Sequence, residues 1–434
     1  MTRQSNAGKT VMPLQSVRVL DLSRYVAGPY CASILADLGA EVIRVEPVGG
    51  GEDRELMPVG GGPGGALFLQ ANRNKQSIAV DTKSAMGRRI LDRLIATADV
   101  VVTNMSTKTL ARLSLDRASL ERIKPDIISA NVSAFGAVGR LSERNGFDGI
   151  GQGMSGAVYL AGKPNLPARA GCSYVDYGTG LAAAMGVLAA ICHKNRSGVG
   201  LDVQASLLAT ALTFSNGWHI EAALRERDHA PFGNLSPNSA PSDIYRTSDG
   251  FIVVQVIGAP MFARWAELVG QPQLVQDRRL KTDAARGRHG RRISRIMQDW
   301  AAPRTSADAL ETLARHGLPA GPIYSPGQLI ADELVGETGI LQQVVHRGLR
   351  RPAPLAGPIV RFGNIDSAIR TPAPTAGADT RQILEGLGLT RHDIAALEKQ
   401  GAVSCGVGQR TPKVRKRQVN DSGITRQGGP GASQ

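Results

Sequence analysis

The sequence has no histidine before His193 and only four cysteines among its 434 residues, Cys31, Cys172, Cys192 and Cys405. Because the cysteines show neither a CxxC spacing nor a pairing pattern, they argue against a zinc site and indicate a reducing compartment. The first 192 residues therefore offer no histidine base and no histidine metal ligand. We predict that the protein holds no metal.

Long apolar runs are also missing, since no stretch approaches the ~20 residues needed to span a bilayer. The opening segment MTRQSNAGKTVM lacks the apolar core of a secretory signal. These two absences predict a cytoplasmic protein that has no membrane partner, while the lack of acids in the opening segment leaves organelle targeting as an alternative.

Acidic residues are outnumbered, with 37 Asp and Glu against 51 Lys and Arg. Six of the basic residues lie in 404–434, where Asp421 is the only acid. The segment PKVRKR leaves nucleic-acid binding by a non-enzymatic protein as a remote alternative, because no aromatic residues are interleaved with its charges. Positive charge spread over the rest of the chain suits a small polyanionic ligand equally well.

Strand-like and helix-like segments alternate through the first half of the chain. Short β-rich runs are separated by stretches of helical periodicity, and they read VRVLDL, EVIRVEP, SIAVD, DVVVTN and DIISANVS. Buried strands separated by helices of 10–15 residues are typical of an α/β fold with a parallel sheet and helices on both faces.

The predicted organisation has two domains. Residues 13–212 form the first part of a large domain, 213–340 form a smaller α+β domain that contains a hairpin, and 341–403 return to the large domain and end in one terminal helix. Residues 1–12 and the basic tail 404–434 are predicted to be disordered.

Two loops have some features of phosphate-binding loops and lack others. SRYVAGPY follows the first strand but has no GxGxxG, which argues against NAD or FAD binding. GGGEDRELMPVGGGPGG, residues 49–65, lacks the GK[ST] ending of a P-loop. We interpret it as a mobile surface loop, and a role as a lid stays open.

Basic residues surround one short strand and the segment that follows DVVVTN. Arg73, Lys75, Lys83 and Arg112 are either ordinary solvated charges or a clamp for phosphate groups. The second alternative arises because loops at the carboxyl ends of parallel strands converge on one crevice.

Asp176 lies in SYVDYGTGLAAAMG, at the start of a long alanine-rich helix and next to Gly178 and Gly180. A helix N-terminus stabilises an acidic side chain by about 0.3–1 kcal/mol, so Asp176 is explained by simple capping. The same position would also keep a nucleophilic carboxylate ionised, and the glycines would let a substrate carbonyl approach closely. The residues alone leave both explanations open.

Six stretches, taken together and in order, resemble the class III CoA-transferase family, which includes formyl-CoA:oxalate and carnitine CoA-transferases. They span roughly Pro13 to Val403 and read RVLDLSRYVAGPYCASILADLGAEVIRVEP, NRNKQSIAVDTK, NGFDGIGQGMSG, YVDYGTGLAAAMGVLAA, GLPAGPI and TRQILEGLGLTRHDIAALEKQGAV.

The resemblance implies a Rossmann-like large domain, a smaller domain and an interlocked homodimer. It also implies acyl-CoA and carboxylic acid substrates with no permanently bound cofactor, and it places the family's nucleophilic aspartate at Asp176. The CoA contacts that it implies are Val26, Ala27, Val80, Asp81, Thr82, Lys83, Asn104, Met105, Arg112, Phe147 and Asp148.

The α-methylacyl-CoA racemases form the alternative branch of this superfamily. They pair the aspartate with a histidine in a GHD motif, because racemisation needs two acid–base groups. Here the motif reads GFD, and Phe147 cannot carry a proton, which favours CoA transfer. The segments YVAGP and VIGAPM depart from the oxalate-using members. By elimination we predict a succinyl-CoA-type donor and a dicarboxylate or hydroxy acid acceptor.

Overall fold

The computed structural model describes residues 11–226, 228–365 and 368–406. Most of the two predicted disordered ends, 1–10 and 407–434, lies outside the described residues. The strands are β1 (Arg18–Asp21), β2 (Glu41–Glu46), β3 (Gln76–Val80), β4 (Val100–Thr103), β5 (Ile128–Ser133), β6 (Asp202–Ser206), β7 (Ser242–Arg246), β8 (Phe251–Gln255), β9 (Ala320–Pro322), β10 (Leu341–Val344), β11 (Ala353–Ala356) and β12 (Val403–Ser404).

Helices fill most of the chain between the strands. They are α1 (Ala27–Asp37), α2 (Ala66–Ala71), α3 (Ala85–Thr97), α4 (Thr107–Arg112), α5 (Arg117–Ile123), α6 (Asp148–Met154), α7 (Ala157–Ala161), α8 (Tyr174–Ser197), α9 (Leu207–Arg225), α10 (Ala259–Leu268), α11 (Asp283–Arg288), α12 (Gly290–Ala301), α13 (Ser306–Arg315), α14 (Pro326–Ala331), α15 (Glu333–Glu337), α16 (Thr380–Gly386) and α17 (Arg391–Lys399).

The main sheet has seven strands in the order β12-β3-β2-β1-β4-β5-β6. Strands β1 to β6 pair in parallel, whereas β12 is antiparallel to β3, with Val403 opposite Val80 and Ser404 opposite Ala79. The sheet is therefore mixed rather than purely parallel, because the chain returns to its edge after α17. Ser404, assigned to the tail from the sequence, is part of this edge strand.

Both faces of the sheet are covered by helices, because alternate strand residues point to opposite sides. Leu20 and Val101 belong to a core that includes α3, α16 and α17. Val19 and Val100 belong to a second core with α1 and α8. The α/β architecture predicted from the alternating pattern is confirmed.

The middle of the chain forms a separate core around a small sheet. Strands β7 and β8 form the predicted antiparallel hairpin, and β9 adds a third strand. Helices α10, α12 and α13 cover this sheet, with Trp265 and Met297 fully buried between them.

The prediction of one terminal helix is wrong, since α16 and α17 are separate helices. Gly388 adopts a φ of +84° between them, which ends the first helix. Thr390 then begins the second helix with a capping box completed by Asp393.

Helix α8 is, within the described residues, the one helix long and apolar enough to cross a membrane by length and composition. Val175, Ala183, Ala184, Val187 and Ala190 nevertheless lie in the core that it shares with α1. A helix that packs on both α1 and the sheet needs this apolar composition in any case.

Candidate functional site

A cavity of about 380 Å³ lies at the carboxyl ends of the parallel strands. Its walls are formed by the loops that follow β1 and β4, by the loop that joins β5 to α6, by Glu52, and by the starts of α8 and α9. The helix that follows β1 packs on one face of the sheet, and the helices that follow β4 pack on the other face. Open α/β sheets bind ligands at the switch point between two such neighbouring strands. The volume is in the range of small-molecule sites.

Asp176 lines the cavity from the third residue of α8 and is only 9% exposed. Within the described chain, no N–H or O–H group donates a hydrogen bond to its carboxylate. Its backbone N–H and that of Val175 instead donate to Asp148 Oδ1, at 3.1 and 2.8 Å. The acid that caps α8 is therefore Asp148, which leaves the Asp176 carboxylate free.

The pKa of Asp176 is raised to about 7, first by burial and then by the negative charge of Asp148. The expectation that the helix N-terminus keeps this carboxylate ionised is therefore not met below neutral pH. The N–H groups that would stabilise its charge are used by Asp148, and desolvation penalises the ionised form. Asp176 is thus a carboxylate of unusual basicity, ionised only from about neutral pH upward.

Gly178 and Gly180 serve helix packing rather than substrate approach, contrary to the sequence-based interpretation. A Cβ at Gly178 would lie 2.6 Å from the ring of Phe214 on α9, and one at Gly180 would lie 2.7 Å from the carbonyl oxygen of Ala27. These glycines let α8 pack closely on its neighbours, which fixes the position of Asp176.

Gly180→Ala is therefore expected to destabilise the protein by about 1–3 kcal/mol, because a rigid backbone carbonyl must move away from the new methyl group. Chemical unfolding monitored by circular dichroism measures this loss. Gly386→Ala, at a helical position where nothing lies within 4 Å of the added Cβ, is the control and should not destabilise. Equal stability of Gly180→Ala and the wild type would contradict the packing role.

The loop after β1 is held by buried charges. Tyr25 adopts a φ of +70°, and its N–H donates to Asp53 Oδ2 at 3.2 Å. Asp53 in turn accepts two hydrogen bonds from the buried guanidinium of Arg44, at 2.8 and 3.0 Å. A non-glycine residue in this conformation persists only when its surroundings fix it, and here the Arg44–Asp53 pair does so.

The glycine-rich segment 49–65 contributes to the same wall. A short 3₁₀-helix, Glu52–Glu55, lies inside it and is anchored by the buried Asp53. Glu52 lines the cavity, accepts a hydrogen bond from the Tyr25 hydroxyl at 2.6 Å and pairs with Arg24 at 3.1 Å. This part of the segment is thus a fixed wall of the cavity.

The family to which the chain belongs is decided by comparison with known proteins. The model of "CoA-transferase family III" matches residues 14–380. The chain belongs to CoA-transferase family III. The resemblance inferred from the six stretches is confirmed, and the protein is an enzyme that transfers CoA between acyl-CoA and carboxylate substrates without a bound cofactor.

Individual relatives of the transferase cover nearly its whole length. Succinyl-CoA:glutarate CoA-transferase of Mus musculus is 31% identical over 392 residues, which are 90% of this chain and 89% of that protein. Succinyl-CoA–D-citramalate CoA-transferase of Chloroflexus aurantiacus is 32% identical over 400 residues, covering 90% and 98%. The crystal structure of a CAIB/BAIF family protein from Brucella suis superposes with a TM-score of 0.75 at 29% identity, covering 87% of this chain and 99% of that one.

The fold brings about half of the predicted site residues together. In addition to Asp176, those that line the cavity are Val26, Ala27, Asn104, Met105 and Phe147. Phe147 packs edge-on against Tyr25, with ring centroids 5.3 Å apart, so that two aromatic rings form part of the cavity wall.

The other predicted CoA contacts lie outside the cavity lining. Val80 is buried in β3, the neighbouring Asp81 and Thr82 begin the turn that follows, and Lys83 and Arg112 are exposed. Asp148 is buried at 4% exposure behind the start of α8. The structure thus gives Asp148 a structural partner in α8, whereas the sequence motif had grouped it with Phe147.

Arg73 and Lys75 are neither solvated charges nor a phosphate clamp, so both interpretations of these two residues are wrong. Arg73 pairs with Asp37, and Lys75 pairs with Asp21 at 2.7 Å, all four side chains being nearly inaccessible. Their charges therefore stabilise the interior rather than bind a ligand.

Four charged or aromatic residues of the cavity were missed from the sequence: Arg24, Tyr25, Glu52 and Arg144. Arg24 and Tyr25 stand inside the quoted loop SRYVAGPY, and Arg144 comes just before NGFD, so their proximity to recognised motifs was the available signal. Nothing in the local pattern placed Glu52 there. Within the described residues, no group of three His, Cys, Asp or Glu side chains is arranged to hold a metal ion.

Proposed function

We propose that the transferase moves CoA from a succinyl-CoA-type donor to a dicarboxylate or hydroxy dicarboxylate acceptor, with Asp176 as the covalent nucleophile. The observation that carries this proposal is the free Asp176 carboxylate, which faces a cavity of about 380 Å³ and has a pKa raised to about 7. A more basic carboxylate is a better nucleophile toward a thioester, and with this pKa a large fraction of Asp176 is ionised at neutral pH.

The proposed reaction exchanges one activated acyl group for another. An Asp176 oxygen attacks the thioester carbonyl of the donor, the C–S bond breaks, and CoA leaves as a thiolate while a mixed anhydride forms. The thiolate then attacks the Asp176 carbonyl, which releases the donor acid and gives an aspartyl-CoA thioester. The acceptor carboxylate attacks this thioester, and the thiolate finally captures the new acyl group and frees Asp176.

Two observations support a dicarboxylate. The relatives described above are named for succinyl-CoA with glutarate and with D-citramalate. Arg24 and Arg144 line the cavity that contains Asp176, and within the described chain no acidic side chain pairs with Arg144. A guanidinium is well suited to a second carboxylate, because it can donate two parallel charge-assisted hydrogen bonds.

The racemase alternative lacks its second acid–base group. No histidine of the described chain lines the cavity, and His219 on α9 is bonded to the carbonyl oxygen of Ser155. With Phe147 at the position of the racemase histidine, the histidine–aspartate pair that removes and returns an α-proton in the racemases is incomplete.

We further propose that two copies form the interlocked dimer expected from the resemblance. Residues 330–360 expose many apolar side chains, which monomeric proteins rarely do. They are Ile330, Leu334, Ile340, Val345, Ile359 and Val360. Light scattering should give a mass near twice 45.8 kDa, and a monomer would contradict this proposal. A cytoplasmic location likewise stays a prediction.

The test of the proposed reaction is incubation of the purified protein with succinyl-CoA and a panel of acids that includes glutarate, citramalate, malate and oxalate. Mass spectrometry should show a new acyl-CoA together with free succinate, and hydroxylamine added during turnover should label Asp176. If no acid exchanges CoA, or if the label falls on another residue, the proposal fails.

Arg144→Gln is expected to raise the KM for glutarate about tenfold while changing the KM for valerate little, because only glutarate has a second carboxylate to lose a charged hydrogen bond. Steady-state kinetics with both acids at saturating succinyl-CoA measure the difference. Arg140→Gln, an exposed position outside the cavity on the same loop, is the control. A rise in the KM for succinyl-CoA alone would instead assign Arg144 to the CoA moiety.

A further inference from the structure

Asp148 is a buried acid held by three N–H groups. Its Oδ1 accepts the backbone N–H groups of Val175 and Asp176, at 2.8 and 3.1 Å, and its Oδ2 accepts the side-chain amide of Gln152. Since three donors point at its two oxygens, the arrangement suits the carboxylate rather than the carboxylic acid. A negative charge is thereby built into the protein directly behind the start of α8.

This charge lies one hydrogen bond away from the backbone of Asp176. Both side chains are at most 9% exposed, so water screens their interaction little. The N–H groups that could compensate two acids at this helix start are used by one of them. The ionised form of Asp176 is therefore opposed by Asp148 in the free enzyme.

We propose that Asp148 is a positioning residue that destabilises the ionised Asp176 and thereby drives formation of the covalent aspartyl-CoA thioester. This inference rests on the proposed function of Asp176. It assigns Asp148 a role in setting the energy of an intermediate, in place of the CoA contact expected from its motif.

The balance of charge over the first half-reaction explains the effect. An acyl-CoA and the Asp176 carboxylate become an aspartyl-CoA thioester and a free carboxylate, so one negative charge is present before and after. Before the reaction this charge is buried beside Asp148, and afterwards it leaves with the donor acid into water. Relief of the repulsion and of the desolvation therefore favours the thioester.

Protonation of Asp176 removes the same carboxylate charge as formation of the thioester does. The pKa of Asp176 therefore gives a measure of how strongly thioester formation is favoured. Burial and the charge of Asp148 together raise the pKa of Asp176 to about 7. If Asp148 loses its charge, the affinity of Asp176 for a proton and its tendency to become a thioester should fall by similar factors, because both processes neutralise the same carboxylate.

Other charged and titratable groups surround the cavity, and they come from elements other than α6. Arg24 and Tyr25 come from the loop after β1, Glu52 from the glycine-rich segment and Arg144 from the loop before α6. Tyr177 follows Asp176 on α8 and lies outside the cavity lining. Helix α9 faces this turn of α8 with the uncharged Thr210 and Phe214. The negative charge that raises the pKa of Asp176 comes from Asp148 rather than from any of these groups.

The test is Asp148→Asn, because asparagine retains an oxygen that accepts the N–H groups of Val175 and Asp176 while the charge is removed. The acid limb of the kcat/KM profile is expected to move down by about one pH unit. The ratio of aspartyl-CoA thioester to free enzyme, measured by intact-protein mass spectrometry after mixing with succinyl-CoA and succinate, is expected to fall about tenfold, which is the same factor.

Gln152→Met is the matched control, since it removes the Gln152 hydrogen bond to Asp148 but leaves the negative charge. Gln152→Met should keep the acid limb at its wild-type pH. If Asp148 had a purely structural role, the acid limb would move in neither Gln152→Met nor Asp148→Asn, or both variants would be disturbed alike. If Asp148→Asn does not fold, Asp148→Ser, whose hydroxyl is a good helix cap, carries the same expectation.

An unchanged or raised acid limb in a folded Asp148→Asn, or an unchanged thioester ratio, overturns the inference. Asp176→Asn separates this result from a failure of the proposed function. If Asp176→Asn is inactive and Asp148→Asn shows neither shift, only the role of Asp148 is wrong. If Asp176→Asn transfers CoA as well as the wild type does, the covalent mechanism itself is wrong.

Discussion

Asp176→Asn is expected to lower kcat/KM for CoA transfer by on the order of 10³-fold or more. The amide cannot attack a thioester carbonyl, and every step of the proposed cycle passes through a bond to this carboxylate. The fold should be intact, because asparagine has nearly the same shape and no hydrogen bond to the Asp176 carboxylate exists in the described chain. The measurement is the initial rate with succinyl-CoA and the best acceptor of the panel.

Asp308→Asn provides the matched control for this variant. Asp308 is an exposed acid in the first turn of α13, in the small domain and outside the cavity lining. Its replacement should leave the rate unchanged. Retention of a tenth or more of the wild-type rate by Asp176→Asn would show that the reaction does not need a covalent aspartyl intermediate.

Asp176→Asn is also expected to stabilise the folded protein at alkaline pH, by up to about 4 kcal/mol. The pKa of Asp176 rises on folding from an ordinary value of 3.8 to about 7. Between these two values the unfolded chain has released the proton that the folded protein retains, so the stability of the wild type falls as pH rises through this window. The asparagine variant has no such proton to lose.

Chemical unfolding at pH 5 and at pH 8.5, at one protein concentration, measures this difference. The two proteins should be closest in stability at pH 5, and the variant should be clearly more stable at pH 8.5. Asp308→Asn should unfold like the wild type at both pH values because its carboxyl is exposed. A difference between the wild type and Asp176→Asn that does not grow with pH would show that burial and Asp148 do not raise the pKa of Asp176.

The loss of activity and the gain in stability expected for Asp176→Asn have the same physical cause. A carboxylate that is costly to keep ionised in the folded protein gains more than an ordinary one when it becomes a neutral thioester. In the proposed mechanism, the same burial that lowers stability at neutral pH also makes Asp176 reactive, which is the exchange of stability for function found at many active sites.

Much of the architecture followed from the sequence alone, because local patterns determine local structure. Alternating β-rich and helical segments predicted the parallel strands and their covering helices, and the ordered motifs identified the family. The position of Asp176 at a helix start was also predictable, since the apolar periodicity of α8 begins there. The break between α16 and α17 was missed, although Gly388 and Thr390 carry the usual signals for it.

Only the tertiary structure decided which charges are buried together. Asp148 precedes Asp176 by 28 residues, and Arg73 and Lys75 pair with Asp37 and Asp21, which precede them by more than 30 residues. Glu52 reaches the cavity from a glycine-rich segment whose sequence resembles a mobile loop. Desolvation and the distance between charges set the pKa of a carboxyl, and both depend on contacts between segments distant in the chain. For this reason the family resemblance in the sequence pointed to Asp176 as the nucleophile, whereas the fold determines how basic its carboxylate is.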